Sequence, residues 1–182
     1  RLMLNLDTEE WGEFYLGCAG GVDVAVSRHA PPVPLEAGHA LRDVSLRGLR
    51  GGHSGVDIHE ERGNAIKLLV QLLAALSLGE ASRGAEALCP DLRLVSLQGG
   101  SARNALPREA EAVVALPQDQ WAALQAALPA WQARWTTLLT GVEPRVELMA
   151  IELDDTAATQ AQQQGVLPLA DQQVWLRSLL AA

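Results

Sequence analysis

The histidine at position 53 lies on a loop with glycines on both sides, Gly51-Gly52-His53-Ser54-Gly55. Glycine permits positive φ angles and lets another group approach the backbone closely. An imidazole on such a loop can reach a ligand that a regular strand would keep out of its range. A glycine-rich turn with a histidine that has no role explains the same residues equally well, so the rest of the chain has to decide.

Two further polar residues lie where predicted strands end or cross the middle of a sheet. Asn104 belongs to a glycine-flanked loop and offers both a donor and an acceptor, which suits a carbonyl oxygen or an oxyanion. It could equally cap its own turn. Arg177, central in a predicted final strand, could bind a carboxylate through two hydrogen bonds, or simply be solvated.

An acidic cluster, Asp7-Thr8-Glu9-Glu10, follows the apolar run of residues 1–6. Ligands collect at strand ends in α/β sheets, and an aspartate there is a hard ligand for a divalent metal, although a solvated acidic turn has the same composition. Neighbouring residues supply no second and third ligand, since His29 and His39 lie in or beside a proline-rich connector. A self-contained metal site is therefore not expected.

The composition excludes some classes of protein. A formal net charge of −8 and a pI near 4.9 argue against nucleic-acid binding, which needs clustered Lys and Arg. The chain has no run of about 18 apolar residues, so no membrane span is predicted. Cys18 and Cys89 lie far apart without metal-knuckle spacing, which favours a reducing compartment and a cytoplasmic location.

The periodicity from residue 41 onward predicts an α+β fold. Strands are predicted at 41–49, 92–97, 109–116 and 142–153, with helices at 64–78 and from about 118 onward. The order strand–helix–strand–strand–helix–strand suits an antiparallel, ferredoxin-like sheet with both helices on one face. Residues 154–165 are predicted to be a flexible loop and residues 173–180 an extra last strand.

The second predicted helix carries a stripe of large apolar residues, Trp121, Leu124, Leu128, Trp131, Trp135 and Leu138. Their spacing places them on one helix face. The tryptophans could stack on a ligand, but packing against the sheet is the favoured interpretation. Pro129 should kink or divide the helix.

The N-terminal part reads as a separate unit. Residues 1–6 and 22–27 are predicted strands, residues 11–16 could extend the first, and a proline-rich connector follows. The chain opens inside a strand, so we expect a piece of a longer polypeptide.

Five blocks of sequence, in order, resemble the aminoacyl-histidine dipeptidases (peptidase D), a carnosinase-type branch of the co-catalytic zinc metallopeptidases that include aminoacylases and desuccinylases. The blocks are Asn5-Leu-Asp-Thr-Glu-Glu-Trp-Gly-Glu13, Gly17-Cys-Ala-Gly-Gly21, Gly48-Leu-Arg-Gly-Gly-His-Ser-Gly-Val-Asp-Ile-His59, Gly63-Asn-Ala-Ile-Lys-Leu-Leu69 and Gly99-Gly-Ser-Ala-Arg-Asn-Ala-Leu-Pro-Arg-Glu109. Val174-Trp-Leu-Arg-Ser178 resembles a later strand of the same proteins more weakly.

The resemblance implies a set of roles. Asp7 would be a ligand of one of two zinc ions, which Co²⁺ or Mn²⁺ could replace. His53 and Asn104 would hold the carbonyl of an Xaa-His dipeptide as it becomes a tetrahedral oxyanion. Arg177 would bind the substrate's C-terminal carboxylate or assist the same oxyanion. The parent enzyme is expected to be a homodimer.

The resemblance also implies a division of the chain. Residues 1–29 would end the metal-binding catalytic domain, residues 30–40 would be a linker, and residues 41–182 would form the lid and dimerisation domain. The family's other zinc ligands and its general-base Glu have no counterpart in these 182 residues, so this chain alone is predicted to be inactive. The alternative is a non-catalytic, ferredoxin-like dimerisation or binding module, in which His53 would tolerate substitution.

Overall fold

The structure is a computed structural model that describes residues 11–17, 20–80 and 84–182. The elements in chain order are β1 (His39–Arg47), β2 (Gly52–His53), a short 3-10 helix (Ile58–Glu60), α1 (Ala65–Leu78), β3 (Arg93–Gly99), β4 (Ala105–Leu106), β5 (Ala110–Pro117), α2 (Gln118–Leu138), β6 (Glu147–Glu152), α3 (Asp155–Gln164) and α4 (Leu169–Ala181). Within the described ranges, no helix combines the length and apolar character needed to cross a membrane.

Four strands form one antiparallel sheet in the order β3-β5-β1-β6. The central strand β1 pairs with β5 on one side and β6 on the other, so that Val44 lies opposite both Ala112 and Ala150. The helix α1 connects β1 to β3, and β5 lies between these two strands, which is the split βαβ arrangement. The predicted α+β fold, with its ferredoxin-like strand order, is confirmed.

One face of the sheet is covered by α1 and α2, as predicted. Side chains alternate across a strand, and the even-numbered residues of β1 and β5, such as Val44 and Val114, join the main core. The helix α1 begins after Asn64, whose side chain accepts a hydrogen bond from the Lys67 amide, and it ends at Gly79 with φ +76°. The leucines of α1 fill the centre of this core.

The tryptophan stripe of α2 packs into the core, which confirms the favoured interpretation. Trp135 is fully buried and contacts Trp131, and Trp121 lies beneath the guanidinium of Arg42 at 4.8 Å from the ring centroid. Pro129 does not divide the helix, since α2 continues from Gln118 to Leu138. The last member of the stripe, Leu138, is 70% exposed at the helix end.

The predicted flexible loop at 154–165 is wrong, because most of it forms α3. The Asp154 carboxylate accepts a hydrogen bond from the Ala157 amide at 2.8 Å and so caps the helix. Ala158 and Ala161, three residues apart, pack on the opposite face of the sheet together with Leu41 and other apolar residues. Small alanines among glutamines give only a weak apolar stripe, so the sequence periodicity did not predict this helix.

The predicted last strand at 173–180 is also wrong, because these residues belong to α4. Leu176 is buried in the main core and Leu179 packs against it. Gln172 is completely buried, and its amide accepts from the Leu94 backbone N at 2.7 Å and donates to the Leu92 carbonyl at 2.9 Å. Through this one side chain, α4 satisfies a backbone group of Leu94 in β3 and one of Leu92, just before β3.

The N-terminal predictions have mixed outcomes. Residues 1–6 lie outside the described residues. The predicted strand at 22–27 is wrong: these residues belong to no strand, and Val22, Val24 and Val26 are exposed. Residues 11–16 are not a strand either. An alternating pattern forms a strand only where a neighbouring edge can pair with it, and within the described ranges none does. Val33 then forms a single bridge with Val166.

The core contribution of α2 can be tested by a pair of substitutions three residues apart. We expect Trp135→Ala to lower the free energy of unfolding by about 3–5 kcal/mol, because it leaves a cavity at a fully buried site. Leu138→Ala, at an exposed site on the same helix, should change it by no more than about 0.5 kcal/mol. Urea unfolding followed by circular dichroism measures both values, and equal losses would contradict the assigned packing.

A second prediction concerns Asp43, which lies on the central strand β1 with one carboxylate oxygen buried and without a hydrogen-bond partner. Burial first, and then the charge of Glu111, raise the pKa of Asp43, while Arg47 opposes them. The folded pKa therefore lies above the unfolded value of about 3.9. The protonated Asp43 therefore contributes its full stability to the folded state below the unfolded pKa. This stability is lost as the pH rises through the folded pKa of Asp43.

Asp43→Asn removes the charge, so we expect the variant to be more stable than the parent chain at about pH 7. The gain should stay below about 1 kcal/mol, because the carboxylate is only half-buried. The two chains should converge below about pH 3.5. Thermal unfolding across this range measures the difference, with Glu86→Gln, at an exposed position, as the control. A difference that does not vary with pH would contradict the raised pKa.

Candidate functional site

His53 and Asn104 meet because their loops form a short ribbon of two strands. β2 pairs with β4 in antiparallel register, with His53 opposite Ala105. The Ser54 amide donates to the Asn104 carbonyl at 2.8 Å and so extends the ribbon by one bond. The Asn104 Nδ2 lies 3.4 Å from the Nε2 of His53. Two residues that are 51 positions apart in the sequence thus share one exposed edge.

The ring of His53 has a defined tautomer. Its Nδ1 accepts hydrogen bonds from the backbone amides of Gly55 at 3.1 Å and Val56 at 3.0 Å. A nitrogen that accepts two N–H groups carries no proton, so the proton of the neutral imidazole is on Nε2. The Nε2–H group therefore lies on the outer side of the ring, the side on which Asn104 is found.

With the Nδ2 of Asn104 facing the Nε2–H of His53, both groups are donors and neither satisfies the other. Both side chains are exposed. An acceptor oxygen about 2.9 Å from each nitrogen would satisfy both donors, and nitrogens 3.4 Å apart leave room for it. This arrangement is suited to an oxygen that carries negative charge.

The backbone at and before His53 is fixed by hydrogen bonds to the side chains of Asp57 and Arg62. The Asp57 Oδ2 accepts from the His53 backbone N at 2.7 Å. The Arg62 Nη1 donates to the Gly51 carbonyl at 2.6 Å and lies 3.3 Å from the same Asp57 Oδ2. Arg62 also pairs with Glu60 at 2.7 Å. The hydrogen bond to Glu60 is the main cause that raises the pKa of Arg62, and burial acts against it. The guanidinium therefore stays charged.

Gly52 is needed at its position for a steric reason. Its φ is +151°, and a Cβ there would collide with the Nη1 of Arg62 and with the Asp57 carboxylate. The close approach that the glycine pair predicts is therefore made by side chains of the same loop.

Both ends of the His53 loop are attached to one carboxylate. Glu143, 4% exposed, accepts from the Arg50 amide at 2.7 Å and from the Gly63 amide at 2.8 Å. Sequence reasoning missed Glu143, and it also missed Asp57 and Arg62. For Asp57 and Arg62 the signal was their closeness in sequence to His53, whereas Glu143 follows 80 residues after Gly63 without a motif.

A cavity of about 700 Å³ lies beside the ribbon, where β1, β3 and β5 reach it. Its charged lining residues are Arg47, Arg50, Arg108, Glu109 and Glu111. Arg47 and Glu111 approach within 4.0 Å of each other. The cavity is thus polar and of mixed charge, next to the edge that presents His53.

The structure does not bring the other predicted site residues to this edge. Arg177 is exposed on α4 instead of a strand, and no hydrogen bond or ion pair within the described ranges joins it to His53 or Asn104. Asp7 lies outside the described residues. His59, the other histidine of this segment, is exposed in the 3-10 helix. Arg103 pairs with Asp23 of the N-terminal segment.

The described residues do not fit a metal by themselves. No group of three or more His, Cys, Asp or Glu side chains among them could hold an ion. A metal near this edge would therefore need ligands from elsewhere.

Residues 44–139 match the family described as "Peptidase dimerisation domain". The chain is 39% identical over 160 residues to the cytosol non-specific dipeptidase of Escherichia coli (strain K12), which is 88% of this chain and 30% of that protein. Its fold matches the crystal structure of the aminoacylhistidine dipeptidase from Vibrio alginolyticus with a TM-score of 0.68 and 37% identity, over 84% of this chain and 28% of that one. The chain thus spans less than a third of the length of each.

Proposed function

The chain belongs to the peptidase dimerisation domain family, and on that premise we propose that it is the lid and dimerisation region of a dipeptidase. Both similar proteins are named as dipeptidases. In this proposal residues 1–29 end the catalytic domain, residues 30–40 link the two parts, and residues 41–182 are the lid. The E. coli relative is named a cytosolic enzyme, which supports a cytoplasmic location.

The observation that carries the proposal is the pair of donors on His53 and Asn104. Hydrolysis of a peptide bond passes through a tetrahedral intermediate whose former carbonyl oxygen becomes negative. Donors that are in place before the reaction stabilise this charge without reorganisation. The Nε2–H of His53 and the amide of Asn104, with their nitrogens 3.4 Å apart, would donate to that oxygen together.

The complete enzyme would hold two zinc ions, or Co²⁺ or Mn²⁺ in their place, with Asp7 as one ligand. The support is the sequence resemblance, and the described residues contain no such site. Bound zinc supplies a Lewis acid and an activated water. The part of this chain is to bind and orient the substrate, and alone it would be inactive.

The proposed substrates are Xaa-His dipeptides. The support is again the sequence resemblance, together with the name of the Vibrio alginolyticus enzyme. Arg177 would bind the C-terminal carboxylate, since its exposed guanidinium makes no ion pair within the part of the chain that the structure describes. This role requires α4 to face the substrate in the complete enzyme.

The proposed roles can be tested in the complete enzyme, assayed with Zn²⁺ on Xaa-His dipeptides. We expect His53→Ala to lower kcat by about 10²–10³-fold with a small change in KM, because the donor acts mainly in the transition state. Arg177→Ala should instead raise KM. His59→Ala, at another exposed histidine six residues away, is the matched control. A His53→Ala variant with undiminished kcat would exclude the oxyanion role.

The alternative is a non-catalytic dimerisation or binding module. Of these two roles, the family description supports dimerisation. The edge strand β6 carries two partly exposed apolar residues, Met149 and Ile151, on the face away from α1 and α2. An unpaired edge with apolar side chains is a surface on which a second strand can add. We therefore propose β6 as part of a homodimer contact.

Light scattering on the full chain tests this contact. We expect twice the monomer mass of 19.4 kDa, and we expect Ile151→Lys to return the chain to that monomer mass. Val174→Lys, at a comparably exposed position on α4, should leave the dimer intact. A monomer for the unchanged chain would contradict the assignment.

A further inference from the structure

We infer that Asp57 and Arg62 are positioning residues that hold His53 as a neutral donor with its proton on Nε2. The inference rests on the proposed function for its catalytic consequence, and on geometry alone for its structural part. It gives His53 the role of a hydrogen-bond donor and removes the role of a general base, which would need a free lone pair on Nε2.

The turn around His53 closes through two reciprocal hydrogen bonds with Asp57. The His53 amide donates to the Asp57 carboxylate at 2.7 Å, and the Asp57 amide donates to the His53 carbonyl at 3.0 Å. The chain between them folds back over the ring, which brings the amides of Gly55 and Val56 onto Nδ1. The tautomer is therefore fixed by backbone groups whose direction depends on the closure at Asp57.

Arg62 fixes the Asp57 carboxylate and the other side of the loop at the same time. It lies 3.3 Å from Asp57 and donates to the Gly51 carbonyl at 2.6 Å, so one guanidinium joins residues on both sides of His53. Its side chain is 13% exposed and is oriented by Glu60. A planar group with several donors suits this role, and a lysine would not reproduce it.

The charged groups of the cluster face one another and leave the imidazole ring apart. The Arg62 guanidinium faces the carboxylates of Asp57 and Glu60, and neither carboxylate contacts the imidazole ring in the described hydrogen bonds and ion pairs. The ring therefore meets amide N–H groups on its inner side and the Asn104 amide on its outer side. A proton on Nδ1 would face two donors, which is why the loop selects the Nε2–H form.

The structural part can be tested by ¹⁵N NMR of the imidazole nitrogens in the 182-residue chain at about pH 8. The unchanged chain should show a protonated Nε2 and an unprotonated Nδ1 for His53. We expect Asp57→Ala and Arg62→Met each to give a mixture of both tautomers. Glu61→Gln, in the same segment and without a described side-chain contact, should keep the single form.

Two variants are used because one of them could fail to fold, and circular dichroism identifies the folded ones. A single Nε2–H tautomer retained in either folded variant would overturn the inference, whatever the enzyme kinetics show. The same measurement therefore separates this inference from the proposed function.

The catalytic part can be tested by a double-mutant cycle in the complete enzyme. Asp57→Ala should lower kcat by about 10²-fold with little change in KM, because a small displacement of a catalytic group is enough for such a loss. In the His53→Ala background the same change should cause no further loss, since it acts through His53. Additive losses would show a general structural role and contradict positioning.

If His53→Ala itself keeps full kcat while the NMR result holds, the oxyanion role fails and the tautomer assignment stands. If the NMR result fails while His53→Ala loses kcat, the oxyanion role stands and the positioning pair is rejected.

Discussion

The buried carboxylate of Glu143 accepts hydrogen bonds from the backbone at both ends of the loop that carries His53. A charge that is 4% exposed needs partners, and here the partners are the amides of Arg50 and Gly63. The end of β1, the start of α1 and the segment after α2 are joined at one point. Because these bonds hold the base of the loop together, the few hydrogen bonds near its tip are sufficient to orient the imidazole ring of His53.

The rest of the molecule serves as a platform for this loop. The sheet places the ends of β1, β3 and β5 beside one another, and α1 and α2 bury the core on one face. Ala65, the first residue of α1, donates to the Pro107 carbonyl at 3.0 Å. This bond holds the loop that carries Asn104 against the start of α1. Stability is therefore concentrated in the core, while the donors lie at an exposed edge that contributes little to it.

The sequence predicted the elements whose apolar period matches their burial. The stripe of α2 and the alternation of β5 belong to this group, because a large core enforces the period. It failed for α3, whose burial depends on two alanines, and for α4, where Val174-Trp-Leu176 reads as a strand although a buried Gln172 fixes it to β3. It also failed for residues 22–27, where the pattern has no strand to pair with.

At the site, His53 and Asn104 were found from their motifs, and the structure brings them together. The roles of Asp57, Arg62 and Glu143 were not predicted. Each of these side chains is bonded to backbone groups of the loop, and such bonds leave no periodic pattern in the sequence. The crowding around Gly52 also has a consequence for the gene. Every missense change of its codon adds a Cβ where Arg62 and Asp57 already lie. Its φ of +151° is also strained for any L side chain, so room made at position 57 or 62 would not relieve the change. Selection should therefore remove nearly every missense change at this codon.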